Sequence, residues 1–243
     1  MTKAEARRIH AHFEASTRLA VVIPFGIFFF ALIAGFDLGT STAIFGAALA
    51  FVATMAAVST DMMSRRIPNG LSLLALASGP VWWASFFLGA DLPGLAGEGV
   101  VWSLLAPIYG LEGAGAVLPA FAGITYPLRI ALDMAMLVVV FIPLYLSFAL
   151  GLGFGGGDVK LMAALSLFLG WPLGLDFFLL TFIIGGIFSV GVIVGRKFSQ
   201  MAVRMGREHA MLKEWSVLHE FPFAPAIGIA AIFCFAIKLQ GLI

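Results

Sequence analysis

The chain has 243 residues, of which 61% are hydrophobic and 11% are charged, with a mean hydropathy of +1.06. Soluble proteins carry about a quarter charged residues, so this chain cannot cover a water-soluble globule with polar side chains. Its formal net charge of +1 gives no overall field for nucleic acid, and we expect no nucleic-acid partner. The composition predicts an all-α, polytopic membrane protein with the lipid bilayer as its main surroundings.

Metal and redox chemistry find little support in the composition. The chain has one cysteine, Cys234, which excludes an internal disulfide and any site built from paired cysteines. The four histidines lack the spacing of a metal site, and solvated surface residues are the favoured interpretation of them. We therefore expect neither a metal nor another cofactor. The histidines are His10, His12, His209 and His219.

Six apolar stretches are long enough to cross about 30 Å of hydrocarbon at roughly 1.5 Å per residue. A seventh is shorter, but Lys160 and Ser166 are its only polar residues, and Gly170 ends it. We predict a bundle of seven transmembrane helices, with six as the alternative. The predicted spans are residues 19–36, 43–59, 71–88, 130–150, 159–169, 175–195 and 223–239.

Basic residues predict the orientation, because loops rich in Lys and Arg stay cytoplasmic. They occur before the first span, between the second and third, at Lys160 and after the sixth span, whereas the intervening segments are mainly acidic. This alternation places the N-terminus in the cytoplasm and predicts a multi-pass protein of the inner, cytoplasmic membrane.

We divide the chain into a basic cytoplasmic segment, residues 1–18, and a single membrane-embedded domain, residues 19–243. Within that domain, residues 90–128 are rich in Gly and Pro and predict an external loop. Residues 196–220 predict a basic amphipathic helix on the inner membrane surface. Anchoring against anionic lipid is the favoured role of this helix, ahead of substrate docking.

Ionisable groups at membrane spans are costly, so three aspartates are functional candidates. Asp61 ends the second span, and a helix continuing to about Arg66 would also allow a plain structural pairing with Arg65, four residues on. Asp158 precedes the short fifth span, where an N-cap role is the structural alternative. Asp133 lies near the outer end of its span, for which we expect a structural or interfacial role.

Asp61 and Asp158 fall on the cytoplasmic side of two different helices. The fifth span is about 11 residues, or roughly 17 Å, which would leave Asp158 recessed in the inner leaflet. The glycines before it leave room for another backbone to approach. Two carboxyls brought together can share one proton, and such a pair can work as the acid and base of an aspartic protease.

The chain then resembles a known family. Asp61 is followed by RIPN at 66–69, GGGDVK stands at 155–160, and FPFAPA stands at 221–226. This combination is similar to the type IV prepilin peptidases, which are polytopic GxGD aspartic proteases. The resemblance implies Asp61 and Asp158 as the catalytic pair, with a prepilin as substrate whose short basic leader is removed at the cytoplasmic face. The supporting motif residues it implies are Gly155, Gly157, Lys160, Arg65, Arg66, Pro68 and Asn69.

The resemblance also has departures. Larger members carry a cytoplasmic region with paired cysteines and methylate the new N-terminus; with Cys234 alone, we expect no zinc and no methyl transfer here. The chain looks more like the short peptidases, most like those of tight-adherence (Flp) pilus systems, with archaeal preflagellin peptidases as the alternative. Two other functions stay open: a proton-coupled transporter that uses Asp61 and Asp158 as relay groups, and a non-catalytic scaffold of a pilus or secretion machine.

Overall fold

A computed structural model describes residues 3–88, 126–151, 155–204 and 223–240. Throughout these ranges the regular secondary structure is helical, which confirms the prediction of a polytopic helical membrane bundle. The predicted loop at 90–128 lies outside the described residues, as does the part of the predicted surface helix beyond residue 204. The seven described helices are α1 Lys3–Ile33, α2 Leu38–Ser64, α3 Asn69–Phe87, α4 Tyr126–Ala149, α5 Gly156–Leu169, α6 Leu173–Arg204 and α7 Ala224–Gln240.

Four of these helices are long and apolar enough to cross a bilayer: α1, α2, α4 and α6. α7 contains a shorter apolar stretch, Ala224–Lys238. α1 is longer than the predicted first span because its basic start, from Lys3 onward, has no Gly or Pro and many good helix formers. The described part of the basic segment is therefore a continuation of the first helix.

Local hydrogen bonds account for both ends of α2. The Asp37 side chain caps its start by accepting from the Thr40 backbone N–H at 2.8 Å and from the Thr40 hydroxyl at 2.6 Å, and these bonds lower the pKa of Asp37. At the other end Arg65 adopts a left-handed conformation, and its N–H donates to the Asp61 carbonyl at 2.8 Å. The helix therefore ends before the predicted limit of Arg66, ahead of the extended backbone that Pro68 favours.

α5 is the central helix of the bundle. It packs against α3, α4, α6 and α7, and every residue from Val159 to Leu169 except Lys160 is buried. A helix that is apolar on all sides is stable where other protein surrounds it. This position explains why α5 lacks a polar face and why its first turn, which holds Asp158, is fixed by its neighbours.

Small side chains let α2 pack closely against two partners. At Gly46, a Cβ atom would stand only 3.2 Å from the backbone nitrogen of Trp82 in α3. At Gly228 of α7, it would stand 2.8 Å from a Val58 methyl group. Close approach through small residues is the usual way that membrane helices associate. The buried alanines of α2 are Ala43, Ala47, Ala50, Ala53 and Ala57.

Candidate active site

Three helix ends meet around the two inner aspartates. Asp61 lies in the last turn of α2 and is 7% exposed, and Asp158 lies partly buried in the first turn of α5. Ala224, the first residue of α7, also reaches this place, because its backbone N–H donates to the Asp61 carboxylate. The aspartates thus come together from helices that are distant in the sequence.

Asp61 has interactions beyond those of an ordinary helix-end residue. Its carboxylate interacts electrostatically with Arg65, as the structural alternative requires, but it also accepts the Ala224 N–H and faces Asp158. Its Oδ2 atom is buried and has no hydrogen-bond partner among the described residues. Pairing with Arg65 therefore does not explain why the Asp61 Oδ2 atom is buried without a hydrogen-bond partner among the described residues.

The structural alternative for Asp158, in which it is the N-cap of α5, is wrong. The N-cap is Gly155, which has the extended conformation that a cap requires, and Asp158 is the third residue of the helix. The Asp158 carboxylate accepts from the Gly155 backbone N–H, as the acidic residue of a capping box does. Its Oδ1 atom is buried and lacks a hydrogen-bond partner in the described part of the chain.

The two carboxylates are near enough to interact electrostatically with each other. Each also keeps one buried oxygen that the described protein does not pair. Leaving such oxygens unpaired costs free energy, and two like charges in this position disfavour full ionisation of both groups. The arrangement can lower both costs by holding one shared proton and by binding a water or a polar substrate group.

Two contacts join the RIPN segment, residues 66–69, to the GGGDVK segment, residues 155–160. A Cβ atom at Gly157 would stand 2.9 Å from Ile67 Cβ, so the start of α5 lies directly against the loop between α2 and α3. Next to this contact, Lys160 Nζ donates to Asn69 Oδ1 at 3.1 Å. The absence of a side chain at Gly157 therefore sets how closely Asp158 approaches the segment that follows Asp61.

The comparison with family models gives a match to the type IV leader peptidase family over residues 115–190. The match covers 76 of the 243 residues, and over these residues the chain is similar to that family. The matched range contains GGGDVK at 155–160, all of α4 and α5 and the first part of α6, whereas Asp61 lies before it. Searches of the curated proteins and of the solved structures gave no match.

The remaining predicted motif residues differ in their exposure and in their contacts near the aspartates. Arg65 and Arg66 are exposed. The Pro68 carbonyl accepts from the backbone N–H of Leu71 at 3.0 Å and so helps to begin α3. At Gly155, a Cβ atom would stand 2.9 Å from Asp158 Oδ2, so a larger residue there would press on the carboxylate.

Sequence reasoning assigned no role to Ile67 or Ala224, although both contact the site. Ile67 lies inside RIPN and Ala224 inside FPFAPA. The sequence therefore identified both motifs, but it did not predict the contacts that these two residues make. The signal in both cases was a proline that fixes the start of the next helix. Within the described ranges, no group of three or more His, Cys, Asp or Glu residues could hold a metal ion.

Asp133 lies at the opposite end of α5 from Asp158 and has the contacts of a structural residue. Its carboxylate is buried and accepts from the Trp83 indole N–H at 3.1 Å and from the Trp171 backbone N–H at 3.0 Å. Gly170 has a positive φ of 73°, and a side chain there would overlap this carboxylate. Asp133 therefore connects α3, α4 and the turn after α5.

Replacing Asp133 by Ala should destabilise the bundle without removing the inner aspartates. The change leaves the Trp83 and Trp171 donors buried without their acceptor, and we expect a loss of roughly 3 kcal/mol in the free energy of unfolding. Thermal denaturation in detergent measures this effect. An unchanged melting temperature would show that these two bonds contribute nothing to stability.

Lys238 of α7 is a buried cation at the same end of α5. Its ammonium group donates to the backbone carbonyls of Phe168 and Leu169 and lies 4.4 Å from the centre of the Trp82 ring. The last carbonyls of a helix have no partner within the helix, so Lys238 stabilises the C-terminal end of α5. Lys238 therefore fixes the C-terminal end of α5, and the two aspartates lie near its N-terminal end.

Proposed function

We propose that this protein is an aspartic endopeptidase that uses Asp61 and Asp158 to remove the short basic leader of prepilin-like proteins. The observation that supports this proposal is the meeting of the two carboxylates, each with a buried oxygen lacking a described partner. The family match over residues 115–190 supports a leader peptidase in general. The aspartic mechanism and the prepilin substrate are our extension of it.

In the proposed reaction, one aspartate is ionised and the other is protonated. The ionised carboxylate takes a proton from water as the water oxygen attacks the carbonyl carbon of the scissile peptide bond. The protonated carboxyl gives its proton to the carbonyl oxygen, which forms a tetrahedral diol. When the C–N bond breaks, the amine nitrogen takes the proton from the carboxyl that received it from water, and one diol hydroxyl gives its proton to the other carboxylate. The pair again holds one proton, and the amine and carboxylic acid products leave.

The surrounding backbone suits this chemistry. The first turns of α5 and α7 direct N–H groups toward the aspartates, through Gly155 and Ala224 respectively. A helix N-terminus carries a partial positive charge and so stabilises an ionised carboxylate beside it. Burial opposes ionisation, and the balance between these two influences allows one proton to be shared by the pair.

The proposed substrate has a short basic leader in the cytoplasm and an apolar stem in the membrane. The charge distribution of the loops puts the aspartate end of α2 and α5 on the cytoplasmic side, where such a leader would lie. We propose the bacterial inner membrane as the location and the tight-adherence (Flp) class of prepilins as the substrates. Both follow from the motif resemblance and the orientation together.

The experiment is a cleavage assay with the purified full chain in liposomes. A prepilin precursor with a short basic leader is added, and the product is examined by gel shift and N-terminal sequencing. We expect a shortened product with one new N-terminus, and no shortening in protein-free liposomes. Failure on several prepilin precursors, with the helical circular dichroism signal intact, would overturn the proposal.

The same liposomes test the transporter alternative. A proton-coupled transporter would carry protons across the bilayer when a gradient is imposed, and it would leave the precursor uncut. A scaffold would do neither. Proton flux without cleavage would therefore favour transport, whereas cleavage without flux supports the peptidase.

A further inference from the structure

A groove of about 520 Å³ lies between α3, α4 and α5. Its walls are mostly apolar, with Leu73 and Leu76 from α3, Val138 and Phe141 from α4, and Ala164 from α5. Leu73 is 63% exposed and Val138 is 50% exposed, so the groove opens sideways from the bundle. An apolar segment in the bilayer could reach it without passing through water.

One end of the groove is polar. Asn69, Ser72 and Lys160 line it there, and Lys160 donates to Asn69 as described above. Ser72 is 6% exposed, and its hydroxyl has no hydrogen-bond partner in the described chain. A buried hydroxyl without a partner is destabilising, so its presence on the wall of an open groove points to a ligand that pairs with it.

This polar end belongs to the same motifs as the candidate active site. Lys160 follows Asp158 by two residues, and Asn69 ends the RIPN segment that packs against Gly157. A chain lying in the groove would therefore leave it beside the segments that carry the aspartates. The polar end of the groove is thus formed by residues of the same two motif segments as the proposed catalytic site.

We propose that this groove binds the apolar stem of the substrate, immediately after the scissile bond; the inference rests on the function proposed above. A peptide must be extended where it is cut, which leaves backbone N–H and C=O groups without helical partners. Ser72, Asn69 and Lys160 supply partners for those groups at the inner end. The apolar walls take the side chains that follow.

Charge supports the stem as the occupant. The Lys160 ammonium repels the basic leader, so the leader is directed away from the groove and only the uncharged stem enters it. A lipid acyl chain is the competing occupant, but it has no hydrogen-bonding group to pair with Ser72 beyond its ester region. The experiment therefore separates a peptide occupant from a lipid occupant.

The test compares Val138→Trp with Val139→Trp. These residues are neighbours on α4, with exposed fractions of 50% and 54%, but only Val138 lines the groove. A Trp at position 138 fills space that the stem would occupy, so we expect the KM for a prepilin precursor to rise about tenfold or more with little change in kcat. Val139→Trp should cleave like the wild type, and both variants should keep its melting temperature.

Ser72→Ala gives a second measurement that does not depend on added bulk. Removal of an unpaired buried hydroxyl should leave stability unchanged or raise it slightly, while the loss of a substrate partner should raise KM. A variant that is as stable as the wild type but binds more weakly would support the groove. Equal KM values for Val138→Trp, Val139→Trp and the wild type would overturn it and leave the proposed peptidase intact.

Photocrosslinking tests whether the substrate stem occupies the groove even if no precursor is cut. With p-benzoylphenylalanine placed at position 138 in the Asp158→Asn variant, we expect a crosslink to the stem of an added precursor and none from position 139. Crosslinks to lipid alone from position 138 would overturn the proposal in favour of a lipid groove. Loss of cleavage in the wild type, by contrast, would overturn the proposed function.

Discussion

Asp61→Asn and Asp158→Asn are each expected to abolish leader cleavage, with a fall in rate of roughly a thousandfold or more. Asn keeps the shape of the side chain but cannot take a proton from water or give one to a carbonyl oxygen. Because the two groups act as one unit, the double variant should be no worse than either single variant. Initial rates of precursor shortening at matched protein levels give the measurement.

Asp37→Asn is the matched control for this experiment. Asp37 caps the opposite end of α2 from Asp61, and Asn is an equally good N-cap, so helix α2 and the cleavage rate should both be preserved. The Asp61 and Asp158 variants should also fold, since each removes a carboxylate oxygen that has no described partner. Wild-type cleavage by either of them would refute the two-aspartate mechanism.

The helices of this protein could be predicted because lipid makes hydrophobicity a direct signal of spans. All seven predicted helices are present, and their ends differ mainly where local backbone preferences decide. α1 begins at Lys3 because its polar start favours helix, and α2 ends at Ser64 because Arg65 turns into a left-handed conformation. A hydropathy profile does not predict either of these two helix ends.

The candidate site was predictable to the level of its motifs and no further. The sequence pattern singled out Asp61 and Asp158. The alternative N-cap role of Asp158 is wrong because the glycines allow the cap to form three residues earlier, at Gly155. The Gly157–Ile67 contact and the bond from Ala224 join segments that lie 90 and 163 residues apart. Such contacts depend on how the helices pack, which local periodicity does not report.

The Gly157–Ile67 contact leads to the second large effect. Gly157→Ala would put a methyl group 2.9 Å from Ile67 Cβ, which is closer than two carbon atoms can approach. The start of α5 must therefore move away from the loop after Asp61. A displacement of about 1 Å between reacting groups can cost a hundredfold in rate, and we expect a loss of about that size in kcat. Cleavage rates at saturating precursor measure it.

The neighbouring glycine separates this effect from a change in helix stability. Both Gly156 and Gly157 lie in the first turn of α5. Ala has a higher helix propensity than Gly, by about 1 kcal/mol at interior positions, so neither substitution should destabilise α5 by lowering helix propensity. At Gly156 the nearest atoms to the new methyl group would be those of the Phe148 ring at 3.5 Å, an ordinary contact, and cleavage should persist. Equal activity of the two variants would mean that the approach of α5 to Ile67 does not position Asp158. A loss confined to Gly157→Ala, with the fold retained, would tie catalysis to the distance between the two motifs.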